Sequence, residues 1–143
     1  MMMERTLSII KPHAVEKNVI GEIFTRLERT GFKIIAMKMV HFSPEQAIEF
    51  YAEHKKRPFF KSLIQSITSG PSTIFILEKD NAIQDFRNYI GATNPENAAS
   101  DTIRADYGNN ITENAIHGSD SAISATREIN YFFKNHEILP RLR

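Results

Sequence analysis

The 143-residue chain contains no cysteine and no tryptophan, and neither sign of charge dominates it. Without cysteine there are no disulfides, Cys-bearing zinc sites, iron–sulfur clusters or thiol nucleophiles, and a reducing compartment, the cytoplasm, is the expected location. The 18 Lys+Arg against 17 Asp+Glu leave a net charge of +1. Such a surface is not built as a whole for nucleic acid, which is not an expected partner. No run approaches the roughly 18 apolar residues of a membrane span, so no membrane association is expected. The Met1-Met2-Met3 start meets Glu4-Arg5 with no apolar stretch between, so no secretory leader is expected. Glycine cradles for phosphate are missing too. There is no G-x-G-x-x-G and no G-x-x-x-x-G-K-[ST], and the H-R-D and D-F-G signatures of protein kinases are absent. Any phosphate chemistry must therefore use side-chain cations and a covalent relay.

What is present is an ordinary globular composition, 41% hydrophobic and 24% charged, of a length that suits one domain over residues 1–143. Arg5 to Ile10 reads as a first strand ended by Lys11-Pro12. Ile20, Ile23, Phe24 and Leu27 form a helical stripe stopped at Gly31. Lys33 to Val40 is apolar on both faces and reads as an interior strand. Ser43-Pro44-Glu45-Gln46 is a capping-box start for a helix to about His54. Phe60, Leu63, Ile64 and Ile67 make another stripe, and Thr73 to Lys79 a third strand. Residues 81 to 90 are helical, capped by Asn81 or Asp80. Gly91 to Ile111 reads as a long ordered loop of the functional kind. A short strand is expected within 111–117, and a last helix over 121–133. This order points to an α+β sandwich of helices on a small antiparallel sheet.

The periodicity breaks at two charged residues. Arg87 falls on the stripe Ile83, Phe86, Arg87, Ile90, and Glu128 on the stripe Ala125, Glu128, Ile129, Phe132. A charge facing a core costs several kcal/mol unless it is paired. On spacing alone each residue reads first as snorkelling to a nearby partner, and two breaks in one small chain add weight to the alternative, a polar cleft. Phe59 lies at the edge of a stripe complete without it, so it is either peripheral core or a free ring face for stacking on a base. His117 stands in Asn114-Ala115-Ile116-His117-Gly118-Ser119-Asp120, where Gly118 frees the backbone and Ser119 or Asp120 can cap the next helix. A lone His in such a place is usually structural. A carboxylate such as Glu128 would change that, by holding one ring nitrogen and leaving the other as a nucleophile. His13, His41, His54 and His136 lack such company and read as surface residues, and Lys55-Lys56-Arg57 as a solvated turn.

The segment NAIHGSD at 114–120 resembles the active-site signature of the nucleoside diphosphate kinases. RTLSIIKP at 5–12, GFKI at 31–34, FYAEH at 50–54, RPFF at 57–60, SGP at 69–71, GATNP at 91–95 and TIRADY at 102–107 follow in that family's order and spacing. The form looks bacterial. The resemblance implies a ferredoxin-like βαββαβ fold, an antiparallel four-stranded sheet covered by helices. It also implies ping-pong exchange of the γ-phosphate between nucleoside tri- and diphosphates. On that likeness His117 is the phosphoryl carrier through Nδ1, and Glu128 orients the ring with help from Ser119. Lys11, Tyr51, Arg87, Thr93 and Arg104 match positions around the phosphates and nucleophile. Asn114 and Lys11 match those holding the ribose hydroxyls, and Phe59 and Ile111 those sandwiching the base.

Mg²⁺ is the implied cofactor, carried mainly by nucleotide phosphates and water with no protein ligand set. A homo-oligomer is implied, with the tetramer favoured over the hexamer. Three positions depart from the family pattern: Thr112-Glu113 for a common Gly-Arg, Ser100-Asp101 for a common Pro-Gly, and Ala105 for a common Gly. A nucleotide-binding module without turnover would lack the nucleophile or the carboxylate. A protein-histidine phosphotransferase would have no use for Phe59, Asn114 and the Lys11, Arg87, Arg104 group.

Overall fold

A computed structural model describes residues 3–143, and the Met1-Met2 part of the start lies outside them. Four strands, β1 (Met3–Ile10), β2 (Lys33–Val40), β3 (Ser72–Asp80) and β4 (Ile116–Gly118), form one antiparallel sheet in the order β2-β3-β1-β4. Among the described residues seven α-helices accompany them: α1 (Pro12–Glu16), α2 (Ile20–Arg29), α3 (Pro44–Phe50), α4 (Phe60–Ile67), α5 (Ala82–Ile90), α6 (Ile103–Tyr107) and α7 (Ala122–Phe132). The ferredoxin-like sheet follows from side-chain alternation. Leu7 and Ile9 of β1 with Ile74 and Ile76 of β3 face α3, α4 and α7, whereas Ile10, Phe75 and Leu77 face α2, α5 and α6. Each face is covered, which is why the central strands carry near-continuous apolar runs.

Local signals act as the sequence predicts in several places. Ser43 and Gln46 complete a capping box, Ser43 Oγ accepting from Gln46 N–H and Gln46 Oε1 from Ser43 N–H. The helix it starts is shorter than expected: α3 stops at Phe50, and Ala52–His54 is a single 3₁₀ turn. The caps of the later helices differ from expectation. Asn81 adopts φ 54 and makes no capping bond, and Glu4 Oε1 of the neighbouring strand accepts the Ile83 N–H instead. Ser121, not Ser119 or Asp120, caps α7 by accepting from Ser124 N–H.

Strand β2 is not interior. It pairs only with β3, and Met37 and Met39 are 57% and 56% exposed. Hydropathy on both faces reads the same for a buried strand and for an edge strand whose outer face is apolar. The Gly91–Ile111 segment is more structured than a loop, holding a 3₁₀ turn at Pro95–Asn97 and the helix α6, capped by Thr102. Both pieces are too short for periodicity to reveal. Arg26 of α2 pins this segment, donating to Asp106 Oδ2 at 2.7 Å and to the Asp101 carbonyl at 2.6 Å beneath the rings of Tyr89 and Tyr107.

Candidate active site

Strand β4 sets the centre. Ile116 packs into the core on the α5 side and Gly118 lies against Phe86, so His117 between them points to the opposite face, toward Phe50 and Tyr51. A Cβ on Gly118 would meet the Phe86 ring at 2.9 Å. This glycine is therefore required for close packing, not for the backbone freedom read from sequence.

Helix α7 runs alongside and brings Glu128, 5% exposed, to the ring: His117 Nε2 and Glu128 Oε1 are 2.9 Å apart. Ser119 donates to the same oxygen at 2.7 Å, while its own Oγ accepts from the Leu7 N–H at 3.1 Å and its backbone N–H donates to the Leu7 carbonyl. Burial works to raise the Glu128 pKa, but its interaction with His117 and the bonds from His117 and Ser119 outweigh it and leave the carboxyl below its ordinary range. The Nε2–H is thereby committed to an anchored carboxylate. Nδ1 makes no hydrogen bond among the described residues, and the ring lines an open cleft of about 160 Å³.

Besides Arg127 of α7, three cations from separate elements line that cleft. Lys11, at the end of β1, is buried and donates to Asn114 Oδ1 at 2.8 Å. Burial, then the nearby Arg104, pushes its pKa down to about 7. Arg104 of α6 is held by the carbonyls of Gly91 and Ile116, at 3.0 and 2.8 Å, with its Nε unpartnered. Burial and then Arg87 lower its pKa to about 10. Arg87 reaches only the Gly118 carbonyl, at 3.5 Å. Its core stripe is Ala82, Phe86 and Ile90, so Arg87 flanks the buried line instead of interrupting it. Cations held this close, Arg104 lowering the Lys11 pKa and Arg87 that of Arg104, make a receptor for an anion.

Asn114 turns back over the site, donating from Nδ2 to the Thr93 carbonyl at 2.9 Å while it accepts from Lys11. Tyr51 is buried with its hydroxyl unpartnered. Burial first, then Glu128, raises its pKa, so it stays a neutral donor. Phe59 is half-buried and Ile111 is 40% exposed, both at the cleft wall. Every site residue expected from sequence lines this cleft except Ser119, which stands behind Glu128.

Sequence reasoning missed some neighbours. His54, read as a surface residue, is half-buried in the cleft wall, its ring 6.2 Å from that of Phe59, with its pKa lowered by burial and Arg57. His13, read the same way, is half-buried and accepts the Ala115 N–H through Nε2 at 2.9 Å. Asp120 lines the cleft with its pKa lowered chiefly by the Ser124 hydroxyl. Arg127 links Glu53, at 2.7 Å, to the far oxygen of Glu128. His13, His54 and Arg127 sit on no broken stripe, so only the folded chain reveals them, whereas Asp120 stands in the 114–120 segment and reads from sequence only as a helix cap.

Comparison with known proteins fits this geometry. The family described as Nucleoside diphosphate kinase matches residues 4–138. A nucleoside diphosphate kinase of Aquifex aeolicus is 45% identical, with a TM-score of 0.93 over 96% of this chain and 100% of the other. A halophilic nucleoside diphosphate kinase of Halobacterium salinarum, solved in complex with CDP, is 42% identical, with a TM-score of 0.94 over 99% of this chain and 95% of the other. The cleft built on His117 is thus found in a chain that belongs to the nucleoside diphosphate kinase family and has that family's activity, transfer of phosphate from a nucleoside triphosphate to a nucleoside diphosphate.

Proposed function

We propose that His117 is the phosphoryl carrier and that the reaction runs in two half-steps through phosphohistidine. The observation that supports this reading most directly is the division of labour on the ring, with Nε2 committed to Glu128 and Nδ1 free at a cleft lined by Lys11, Arg87 and Arg104. In the first half-step the Nδ1 lone pair attacks the γ-phosphorus. An N–P bond forms, the bond from that phosphorus to the β–γ bridging oxygen breaks, and the diphosphate leaves with its charge held by the cations. In the second, a terminal oxygen of the incoming diphosphate attacks the same phosphorus and the N–P bond breaks. The Glu128 carboxylate stabilises the charge that grows on the imidazole, and Ser119 keeps the carboxylate in place. Tyr51 and the cations supply donors for the transferring phosphoryl oxygens, so positioning and charge neutralisation supply most of the acceleration.

Lys11 and Asn114 hold the ribose hydroxyls, Thr93 lies by the phosphates, and the base stacks between Phe59 and Ile111. Stacking without edge contacts is tolerant of base identity, which suits an enzyme that equilibrates triphosphate pools, with ATP the main donor. Among the described residues no group of three or more His, Cys, Asp or Glu forms a metal cage. Of the cleft carboxylates, Glu53 and Glu128 are engaged by Arg127, His117 and Ser119, which leaves Asp120 to meet a hydrated cation. That donor set fits Mg²⁺ held by phosphates and water with Asp120 in support, where it neutralises phosphate charge. The chain acts as a single domain in the cytoplasm; no described helix is long and apolar enough to cross a membrane. A homo-oligomer is supported by the exposed methionines of the edge strand β2, and the tetramer is put ahead of the hexamer on the short tail at 138–143 and Ser100-Asp101.

The test is labelling. Incubation with γ-labelled ATP and Mg²⁺ gives a protein-bound label that is acid-labile and alkali-stable, and it chases into a new triphosphate when a diphosphate of another base is added. His117→Gln abolishes the label. Label that never forms, or that survives His117→Gln, sinks the mechanism.

A further inference from the structure

Ala115, two residues before His117, bears a side chain in a conformation that favours glycine. Its φ is 75, and the Ile116 N–H bonds back to the Asn114 carbonyl at 2.9 Å, closing a γ-turn of the positive-φ kind. Such turns are rare and strained, and strain of this sort persists only where surrounding contacts over-determine it. Two contacts do so here, both from the stretch that follows β1. The Lys11 backbone N–H donates to the Ala115 carbonyl at 2.9 Å, and the Ala115 N–H donates to His13 Nε2, also at 2.9 Å.

An Nε2 that accepts carries no proton, so the proton of this ring sits on Nδ1. That atom is buried and has no hydrogen-bond partner; the Glu113 carbonyl approaches the ring without completing a bond. A buried polar atom left unpaired costs stability, and the ring is nonetheless placed to serve Ala115.

We propose that His13 is a positioning residue, whose Nδ1–H tautomer clamps the Ala115 γ-turn and thereby sets Asn114 against Lys11. The two sides of the turn differ in what else holds them. His117 is fixed independently, by the β1–β4 ladder at Ile9 and by Glu128. Asn114 lies at the other end of the turn, and its side chain meets Lys11 and the Thr93 carbonyl only while the turn points it there. Loss of the clamp therefore loosens the Asn114–Lys11 pair and spares the carrier. This rests on the reading above, in which that pair holds the ribose.

Steady-state kinetics on the full chain test it with His13→Ala, His13→Gln and Ala115→Gly, singly and combined. His13→Ala raises the nucleotide KM roughly five- to tenfold, the worth of one hydrogen bond, with a much smaller change in kcat. His13→Gln, whose amide oxygen can accept the same N–H, recovers most of the loss. The His13→Ala penalty shrinks in the Ala115→Gly background, because glycine holds a positive φ without a clamp. Imidazole nitrogen NMR of the unmodified protein shows His13 protonated on Nδ1. Equal His13→Ala penalties in both backgrounds, a fall in kcat with KM unmoved, or an Nε2–H tautomer overturns the proposal. A wild-type protein that fails to label with γ-labelled ATP overturns the carrier reading instead, and leaves the NMR arm to decide the clamp.

Discussion

Lys11 holds its charge at the margin. Its folded pKa of about 7 lies below the ordinary 10.5, so between those values the folded state binds fewer protons than the unfolded one, and stability rises with pH across that window. Below pH 7 the cost of burying the ammonium is present in full. Lys11→Met therefore melts above the parent at pH 6, and the gap narrows toward pH 10. A phosphate in the cleft reverses the balance by favouring the charged form. Nucleotide binding at pH 8 accordingly takes up as much as about one proton, measurable by calorimetry in buffers of different ionisation heat and lost in Lys11→Met. Uptake that persists in the variant rejects Lys11 as its source.

On the proposed mechanism Glu128 acts through His117, which it meets at 2.9 Å. Glu128→Gln leaves a slower enzyme that still labels. The expected loss is on the order of 10–100-fold, as when the carboxylate partner of a working imidazole is removed; unchanged rates reject the orienting role. These two residues were not equally legible. Glu128 stood out because a charge on a core stripe demands a partner, and His117 is that partner. Lys11 needed the family likeness, and His13 and His54 needed the fold, since their partners Ala115 and Phe59 lie 102 and 5 positions away with no pattern linking them.

At the scale of elements, the segment from Gly91 to Ile111 is tied down by α2 and by Lys17 at the end of α1. Arg26 stands beneath Tyr89 and Tyr107, Tyr107 donates to Glu22, and Lys17 donates to the Tyr107 carbonyl and to Asn109 Oδ1. An exposed ion pair alone is worth about 0–1 kcal/mol, so the stacked rings and the bond to the Asp101 carbonyl add what the pair lacks. Arg26→Ala speeds amide exchange across α6 and raises KM through Arg104, while exchange in β1 and β3 stays unchanged; uniform acceleration throughout the sheet points to global destabilisation instead. Asp101, one of the departures from the family pattern, occupies φ 70, a conformation that glycine adopts freely. Asp101→Gly raises the melting temperature, by about 1 kcal/mol of stability at most, with the Arg26 bond kept because it goes to the carbonyl. The element pattern of this segment was legible only as glycine, proline and asparagine spacing. Strand β2 was misplaced because apolar residues on an edge strand look like core until its neighbours are known.

For the molecule as a whole, the near-zero charge conceals a local concentration. Lys11, Arg87 and Arg104 come from β1, α5 and α6 and meet in one cleft. The other global feature is the edge of β2, where Met37 and Met39 remain exposed while Leu139 and Arg141 of the C-terminal tail bond to the Ile35 and Ile34 carbonyls. Met37→Lys with Met39→Lys yields a smaller species by light scattering, with near-UV dichroism of the subunit retained. An unchanged mass removes this edge from the assembly.

The tie between Ser119 and Leu7 bears on how the site answers to heat. Strand β4 meets β1 over three residues, Ile116 to Gly118, and Ser119 extends that seam by both its backbone and its hydroxyl. A seam this short at the border of a sheet opens more cheaply than the β1–β3 centre, and opening it releases Glu128 from its anchor. If the seam opens first, activity is lost at a lower temperature than the far-UV dichroism of the same sample; coincident loss of the two shows that seam and sheet open together.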